Sequence, residues 1–277
     1  MGKSSPSNPP CILTIAGSDS GGGAGIQADL KTIAILGGFG LSVITALTAQ
    51  NGLGVTGIHT PDPSFIELQL NTIYKGFFVN VLKTGMLFSV PIIEIVKNII
   101  KKQQTLAVID PVCVSQSGYQ LLEHTAIDAL RTHILPLAML VTPNKPEAEL
   151  LTEMQIESEK DIYIAGKRLI DMGAKAVLIK GGHFYKNNLV TNYVDWYIEK
   201  NSTNPIPLSQ PAIKTKNNHG TGCTLSAAIA TYIGLGLELK KAILQAQTYL
   251  NYCLKFSYTP GKGIGPPNHT AWLNRKL

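Results

Sequence analysis

Charged residues are scarce in this chain, and the basic ones are not clustered. Asp, Glu, Lys and Arg make up 15% of the 277 residues, and the formal net charge is +6. No run of basic residues is longer than two, and no basic stripe carries interleaved aromatic residues. Proteins that bind nucleic acid usually cluster Lys and Arg along one surface. The positive charge therefore favours small anionic ligands, and nucleic-acid binding remains the weaker alternative.

Cysteine is also rare, which excludes two classes of protein. The four cysteines form no Cys-x-x-Cys pair and lie far apart, at Cys11, Cys113, Cys223 and Cys253. This spacing argues against a structural zinc site and against a disulfide framework. The six histidines likewise lack the spacing of metal ligands. Residues 1–10 are polar and rich in proline, which predicts a flexible tail rather than a secretory signal and favours a cytoplasmic protein.

No long uninterrupted hydrophobic run is present. Residues 32–59 carry no Asp, Glu, Lys or Arg, which raises the question of a membrane span. Six glycines and several Thr, Ser, Asn and Gln residues interrupt this stretch. It is therefore interpreted as buried sheet and loop, and no membrane partner is expected.

Short apolar runs alternate with helical patterns along most of the chain. This alternation predicts an α/β fold with a mainly parallel central sheet and helices on both faces, as a single domain over residues 11–277. Asp62 before Pro63 and Ser89 before Pro91 are typical of helix starts. An edge hairpin is expected at 189–198 and a proline-rich loop at 201–211. The strands are predicted at 12–16, 42–46, 106–109, 139–141 and 176–179, and the helices at 28–36, 63–74, 91–102, 126–134, 160–172, 222–235 and 239–257.

The most informative motif spans residues 218–228. Gly220, Thr221 and Gly222 stand just before a small-residue segment that is predicted to begin a helix. A helix start has free backbone N–H groups and a positive dipole, and glycines let an anion approach them closely. Cys223 follows, where the pKa of a thiol is expected to be lowered. This arrangement indicates phosphoryl or acyl transfer; the alternative is a capped helix with a small buried cysteine.

Polar residues follow the predicted strands, at the edge where α/β proteins bind ligands. Lys180 would supply positive charge for a triphosphate, and oxygen ligands for Mg²⁺ are found at Asp110, Asn144 and Glu147. Asp29 and Gln50 could read the donor and acceptor edge of a small heteroaromatic substrate. Each has an ordinary alternative: Lys180 as a solvated lysine, Asn144 with Glu147 as a helix cap, and the others as loop residues.

Two glycine-rich segments match known motifs only in part. Residues 52–57 read Gly-x-Gly-x-x-Gly, but the segment that follows contains Pro61 and cannot begin a helix, so a dinucleotide-binding turn is rejected. Residues 21–25 lack the Gly-Lys-Ser/Thr ending of a P-loop. A kinase with this sequence would not be of the P-loop type.

Together these residues resemble the ribokinase-like superfamily and, within it, the hydroxymethylpyrimidine/phosphomethylpyrimidine kinases of thiamine biosynthesis. The most specific blocks are AGSDSGGGAGIQADLKT at 16–32 and HGTGCTLS at 219–226. Further blocks match at 43–51, 83–87, 110–112, 142–148, 180–183 and 261–266. The resemblance covers about residues 12–272 and implies a three-layer αβα fold. It leaves no room for the second thiamine enzyme to which some relatives are fused.

The resemblance also implies a role for individual residues. Gly220, Thr221, Gly222 and Cys223 would form the anion hole for the transferred phosphoryl group, with Cys223 where relatives use an aspartate base. Lys180, and with less support Lys262, would contact the ATP phosphates. Gln50 and Asp29 would hold the pyrimidine, whose pocket would be lined by Gly17, Met86 and Val112. Asp110, Asn144 and Glu147 would serve Mg²⁺.

The resulting hypothesis is an ATP- and Mg²⁺-dependent kinase that phosphorylates 4-amino-5-hydroxymethyl-2-methylpyrimidine and then its monophosphate. A pyridoxal kinase is the nearest alternative, because pyridoxal is another hydroxymethyl-substituted heteroaromatic compound. A non-catalytic protein that binds a pyrimidine or a nucleotide is an alternative of another class. The resemblance also favours a homodimer.

Overall fold

The described strands form one nine-stranded sheet in a computed structural model that describes residues 8–113, 122, 124–181, 192–202 and 204–275. The strand order is β3-β2-β1-β4-β5-β6-β7-β8-β9. The six strands β2, β1, β4, β5, β6 and β7 are parallel, while β3, β8 and β9 add antiparallel edges. The strands are β1 Cys11–Asp19, β2 Phe39–Asn51, β3 Gly54–His59, β4 Val79–Thr84, β5 Leu106–Ile109, β6 Leu140–Val141, β7 Ala176–Ile179, β8 Asn192–Glu199 and β9 Ile206–Pro211.

Helices cover both faces of this sheet, as the sequence predicted. The helices are α1 Gly25–Ile35, α2 Pro63–Gly76, α3 Val90–Gln103, α4 His124–Ala129, α5 Lys145–Thr152, α6 Glu159–Asp171, α7 Thr221–Gly234 and α8 Leu239–Lys255. A π turn (Leu130–Ile134) and a 3-10 turn (Leu135–Leu137) extend α4, and a 3-10 turn covers His269–Asn274.

Two hydrophobic cores show why the chain forms three layers. Successive residues of one strand enter opposite cores: Ile12 packs with the α7–α8 side, whereas Leu13 packs with the α2–α6 side. The same alternation separates Val81 from Leu82 in β4. Because side chains of a strand point alternately to its two faces, a buried apolar run requires helices on both sides. Within the described part of the chain, no helix has the length and hydrophobicity needed to cross a bilayer.

Strand order places a topological switch point between β1 and β4. The chain leaves β1 through α1 to reach β2 on one side, and returns through β3 and α2 to β4 on the other. Connections that diverge in this way leave a crevice at the carboxyl ends of the two strands, where α/β proteins bind ligands. Here that crevice lies between the glycine turn after β1 and the loop after β4.

Several local predictions were wrong. Strands β3 and β4 and helix α5 were missed, and residues 206–211, predicted as loop, form the edge strand β9. Prolines at 207 and 211 are compatible with an edge strand, since an edge leaves some N–H groups unpaired. The rejected motif at 52–57 forms the turn between β2 and β3 and part of β3. Residues 1–7 of the expected tail, Gly182 and His183 lie outside the described residues.

The helix starts at Asp62 and Ser89 were placed correctly, but neither side chain makes a cap hydrogen bond. The proline in the first turn of each helix favours a helix start at that point instead, because its fixed φ is already helical. Side-chain caps occur at Asn144 and Ser158, each within a capping box.

Candidate active site

A cavity of about 360 Å³ opens at the carboxyl ends of the parallel strands. It gathers residues that are up to 207 positions apart, from Ala16 in β1 to Cys223 in α7. Of the fourteen residues selected from the sequence, twelve line it: Gly17, Gln50, Met86, Asp110, Val112, Asn144, Glu147, Lys180, Gly220, Thr221, Gly222 and Cys223. The two that do not are Asp29 and Lys262.

One wall of the cavity is the start of α7. Gly220 precedes the helix with φ of 80°, and a Cβ there would lie 2.0 Å from the carbonyl oxygen of Gly23. Only glycine therefore fits between this turn and the glycine turn after β1. The N–H groups of the first helical turn have no partner within the helix, so this wall can bind an anion.

A hydrogen-bonded chain supports the same turn from behind. The Thr224 hydroxyl donates to the carbonyl oxygen of Gly220 at 2.9 Å, and His269 Nε2 lies 3.0 Å from Thr224 Oγ1. Because the hydroxyl has a single hydrogen, His269 Nε2 donates to it. Burial lowers the pKa of His269 to about 4, so the imidazole is neutral at physiological pH. Sequence reasoning assigned no role to either residue.

Cys223 lies at the predicted position, but its thiol is not activated as expected. Burial raises the pKa of Cys223 to about 12, and the nearby carboxylates of Asp29 and Asp110 add to this effect. The positive charge of Lys83 opposes the rise without reversing it. The expected lowering by the helix start was therefore wrong, and the Cys223 thiol is neutral at physiological pH.

Facing the start of α7 is a compact group of charges. Lys180 Nζ lies 3.0 Å from Asp110 Oδ1 and 3.7 Å from Glu147 Oε2. Burial alone would lower the pKa of Lys180, but the two carboxylates raise it above its ordinary range. Asp110 also accepts hydrogen bonds from Thr142 and Ser226. Lys180 is thus a charged, positioned lysine and not the solvated side chain of the alternative interpretation.

Two carboxylates share this single lysine, so the group carries one uncompensated negative charge when both are ionised. Burial raises the pKa of Glu147 to about 7, and the neighbouring Asp110 contributes to the shift. A divalent cation bound here would meet oxygen ligands and would relieve that repulsion. The donor set therefore fits Mg²⁺, although no cluster of three His, Cys, Asp or Glu residues suited to a metal occurs in the described ranges.

Asn144 and Glu147 also form the helix cap that was their structural alternative. The Glu147 N–H donates to Asn144 Oδ1 at 2.9 Å, and the Asn144 N–H donates to Glu147 Oε2 at 2.8 Å. This capping box begins α5. Both residues nevertheless line the cavity, so the cap is the device that holds them there.

Asp29 does not reach the cavity, in contrast to its expected contact with the pyrimidine. Its side chain is fully buried, with Lys83 Nζ 3.0 Å from Oδ1 and the Thr14 hydroxyl donating to Oδ2 at 2.6 Å. The residues near Asp29 in the sequence do not predict this ion pair, because Lys83 lies on β4, 54 residues away. Burial alone would lower the pKa of Lys83, but the charge of Asp29 raises it, so this lysine stays protonated.

Gln50 is held at the cavity by two residues that sequence reasoning left without a role. Its side chain lies 3.0 Å from the Thr48 hydroxyl and 3.3 Å from His219 Nε2. His219 Nε2 in turn lies 2.9 Å from Asp19 Oδ2. Asp19 is the last residue of β1. The available signal was that Asp19 and His219 are polar residues within the two most specific motif blocks.

The remaining predicted residues divide into two groups. Met86 packs against Ala46, with Val112 beside them, and forms an apolar wall of the cavity. Lys262 is exposed outside the cavity, in a loop whose Ile264 N–H donates to the carbonyl oxygen of Gly52. Its expected approach to the ATP phosphates stays a prediction.

Comparison with known proteins identifies the family of this chain. The family model for phosphomethylpyrimidine kinase matches residues 19–268. The chain is 45% identical over 93% of its length to the thiamine biosynthesis bifunctional protein ThiED of Geobacter sulfurreducens, of which it spans 52%. It is 44% identical over 94% of its length to the hydroxymethylpyrimidine/phosphomethylpyrimidine kinase of Synechococcus elongatus, of which it covers 97%.

Among solved structures, an ADP complex of Bacillus subtilis pyridoxal kinase superimposes with a TM-score of 0.87. That match covers 97% of this chain and 100% of the other, at 35% sequence identity. The likeness confirms the ribokinase-like α/β fold expected from the sequence.

Proposed function

The chain belongs to the phosphomethylpyrimidine kinase family, and we propose that it transfers phosphate from ATP to hydroxymethylpyrimidine and then to the resulting monophosphate, in thiamine biosynthesis. One observation carries the proposal: a Cβ on Gly222 would lie 3.4 Å from Lys180 Nζ. Lys180 Nζ therefore lies beside the helix start, within reach of an anion bound there. A transferred phosphoryl group needs both, because its charge must be neutralised from two sides.

Each step of the reaction draws differently on the site. The hydroxymethyl group must lose a proton as it attacks, whereas a phosphate monoester is already largely anionic near pH 7. Cys223 is the side chain that would take that proton in the first step. Because the thiol is neutral in the ligand-free protein, this role requires its pKa to fall when substrates bind.

Mg²⁺ is proposed as the second cofactor beside ATP. Asp110 and Glu147 would hold it, with the Asn144 amide beside them, and the ion would neutralise charge on the phosphates. Lys180 would then be drawn from Asp110 towards the nucleotide. The excess of one carboxylate over the available lysine supports this assignment.

Pyridoxal kinase activity is the second candidate. It is supported by the likeness to the Bacillus subtilis pyridoxal kinase and by the cavity, whose Gln50 amide and Met86 wall suit any small heteroaromatic ring. A non-catalytic binding protein fits less well, because such a protein does not need Lys180 paired with buried carboxylates. The homodimer and the cytoplasmic location stay predictions.

Incubation with Mg-ATP and hydroxymethylpyrimidine, beside parallel pyridoxal and acceptor-free reactions, tests the proposal. Products are followed by mass. Mono- and then diphosphorylated pyrimidine, formed faster than pyridoxal phosphate, is the expected result. Pyridoxal phosphate alone would overturn the substrate assignment. No product from folded protein would favour the non-catalytic alternative.

A further inference from the structure

The Asp19 carboxylate is the centre of a network that ends at the substrate-binding glutamine. Its Oδ1 accepts the Gly21 N–H at 2.8 Å, and its Oδ2 accepts the N–H groups of Gly23 and Ala24 at 3.0 and 2.8 Å. The side chain is only 3% exposed. Burial alone would raise the pKa of Asp19, but hydrogen bonds from His219 and from these amides lower it. The carboxylate is therefore ionised and accepts hydrogen bonds only.

An ionised carboxylate determines where His219 carries its proton. His219 Nε2 lies 2.9 Å from Asp19 Oδ2. Since the carboxylate has no hydrogen to give, Nε2 must be the donor. The ring is held in place by Gly23, where a Cβ would lie 2.3 Å from His219 Cδ2. The Nε2 proton is thus fixed by the fold and not by the substrate.

The hydrogen on His219 Nε2 determines the orientation of the neighbouring Gln50 amide. When the amide nitrogen of Gln50 lies 3.3 Å from His219 Nε2, two hydrogen-bond donors face each other. In the same orientation the Gln50 oxygen lies 3.0 Å from Thr48 Oγ1 and the Ser18 carbonyl oxygen lies 2.9 Å from it. The two oxygens then compete for the single hydrogen of the Thr48 hydroxyl. Turning the amide by half a rotation removes both conflicts. The Gln50 oxygen then faces the Nε2 hydrogen as its second, more distant acceptor after Asp19, and the amide nitrogen donates to Thr48.

We propose that Asp19 and His219 are positioning residues that hold Gln50 with one amide N–H free for the substrate. The site then selects a heteroaromatic ring that presents an unprotonated ring nitrogen as acceptor, and disfavours a ring that presents an N–H at that point. The substrate class rests on the proposed function. The orientation of Gln50 does not, because it follows from contacts of the ligand-free protein.

The first test measures the histidine proton directly. Protein labelled with ¹⁵N-histidine is examined by NMR, and the signal of His219 is assigned by its loss in His219→Gln. A hydrogen on Nε2, in the neutral or the doubly protonated ring, is expected. A neutral ring with its hydrogen on Nδ1 would make Nε2 an acceptor and would overturn the proposal.

The second test separates positioning from general support of the fold. His219→Leu removes the donor at similar size, and His219→Gln can restore an N–H near the position of Nε2. We expect the KM for the pyrimidine to rise about tenfold in His219→Leu, with the KM for ATP within about twofold, and partial recovery in His219→Gln. The control is His59→Leu, on the exposed edge strand β3, which should leave both KM values unchanged.

The outcomes distinguish this inference from the proposed function. Equal rises in both KM values, or a loss that His219→Gln does not recover, would show a structural role only and would overturn it. If the wild-type protein phosphorylates pyridoxal alone, the same comparison is made with pyridoxal. The NMR result is independent of any turnover, so it decides the orientation even if no acceptor reacts.

Discussion

Lys180 Nζ lies 3.0 Å from Asp110 Oδ1, which joins the lysine expected for ATP to the carboxylate expected for Mg²⁺. The two residues follow β7 and β5 and are 70 positions apart in the chain. Each of these two charges neutralises the other, and in the proposed function nucleotide binding would exchange this contact for contacts with phosphate. Because Lys180 and Asp110 are paired, the cavity can hold charged side chains for a charged ligand without burying either charge unpaired.

Replacement of the lysine tests this exchange. Lys180→Met should raise the KM for ATP at least about tenfold and lower kcat about 10²-fold, because phosphate charge loses its partner. Lys175→Met is the matched control, since Lys175 is exposed just before the opposite end of β7. Steady-state kinetics at varied ATP measures both. Equal kinetics of the two variants would contradict the assignment.

The two phosphorylations should respond differently to loss of Cys223. Cys223→Ala is expected to slow transfer to the alcohol by about 10²–10⁴-fold and transfer to the monophosphate less, because only the alcohol needs a base. Single-turnover rates with each acceptor measure the difference, with Cys11→Ala as the control. If both steps stay within about tenfold of the wild type, Cys223 only shapes the anion hole.

Alkylation of Cys223 should reveal its protonation state without any substrate. Because burial raises the pKa of the thiol to about 12, the thiolate fraction grows about tenfold per pH unit throughout the neutral range. The rate of iodoacetamide labelling of the Cys223 peptide, followed by mass spectrometry, should therefore still be rising at pH 10. A plateau near pH 7 would mean an activated thiolate in the free protein.

Asp29 should matter for stability and not for substrate contact. Asp29→Asn leaves Lys83 as an unpaired buried cation and is expected to lower the free energy of unfolding by about 3–5 kcal/mol. Urea unfolding measures this loss, with exposed Asp62→Asn as a control that changes stability by less than about 0.5 kcal/mol. An unchanged stability with a tenfold higher KM for the pyrimidine would restore the sequence-based role.

His269 makes stability depend on pH. Its folded pKa of about 4 lies below the ordinary 6.5, so the unfolded chain binds the proton more readily. The neutral ring's contribution is present above pH 6.5 and is lost as pH falls towards 4, by about 3 kcal/mol. The matched variant is His269→Gln, which keeps a hydrogen-bond donor for Thr224. Relative to this variant, urea unfolding should show that the wild-type protein loses about 3 kcal/mol of its free energy of unfolding between pH 6.5 and pH 4. A constant difference between the two proteins would contradict it.

Much of the fold was predictable because local patterns coincide with burial. The strands at 106–109 and 176–179 were placed to the residue, since each is a short apolar run followed by a polar residue or proline. Strand β9 was misplaced because its two prolines are typical of loops, and only pairing with β8 makes that backbone a strand. Strand β4 was missed because its last buried positions include Lys83 and Thr84.

The site was predictable to a similar degree and for a similar reason. Polar residues at strand ends and the glycine turn at 220–222 are local signals, and the cavity brings them together. The state of those residues was not predictable. Burial reversed the expected shift in the pKa of Cys223, and Asp29 pairs with the buried Lys83 instead of lining the cavity.

Local sequence patterns were sufficient to predict the alternation of strands and helices, the start of α7 and the set of side chains at one edge of the sheet. These follow from periodicity, glycine and helix-cap chemistry, which act between near neighbours in the chain. The folded chain was needed to show which charges are paired, which thiol is neutral and which carboxylate holds His219. Those properties depend on desolvation and on partners 54 to 200 residues away, and both exist only once the sheet has formed.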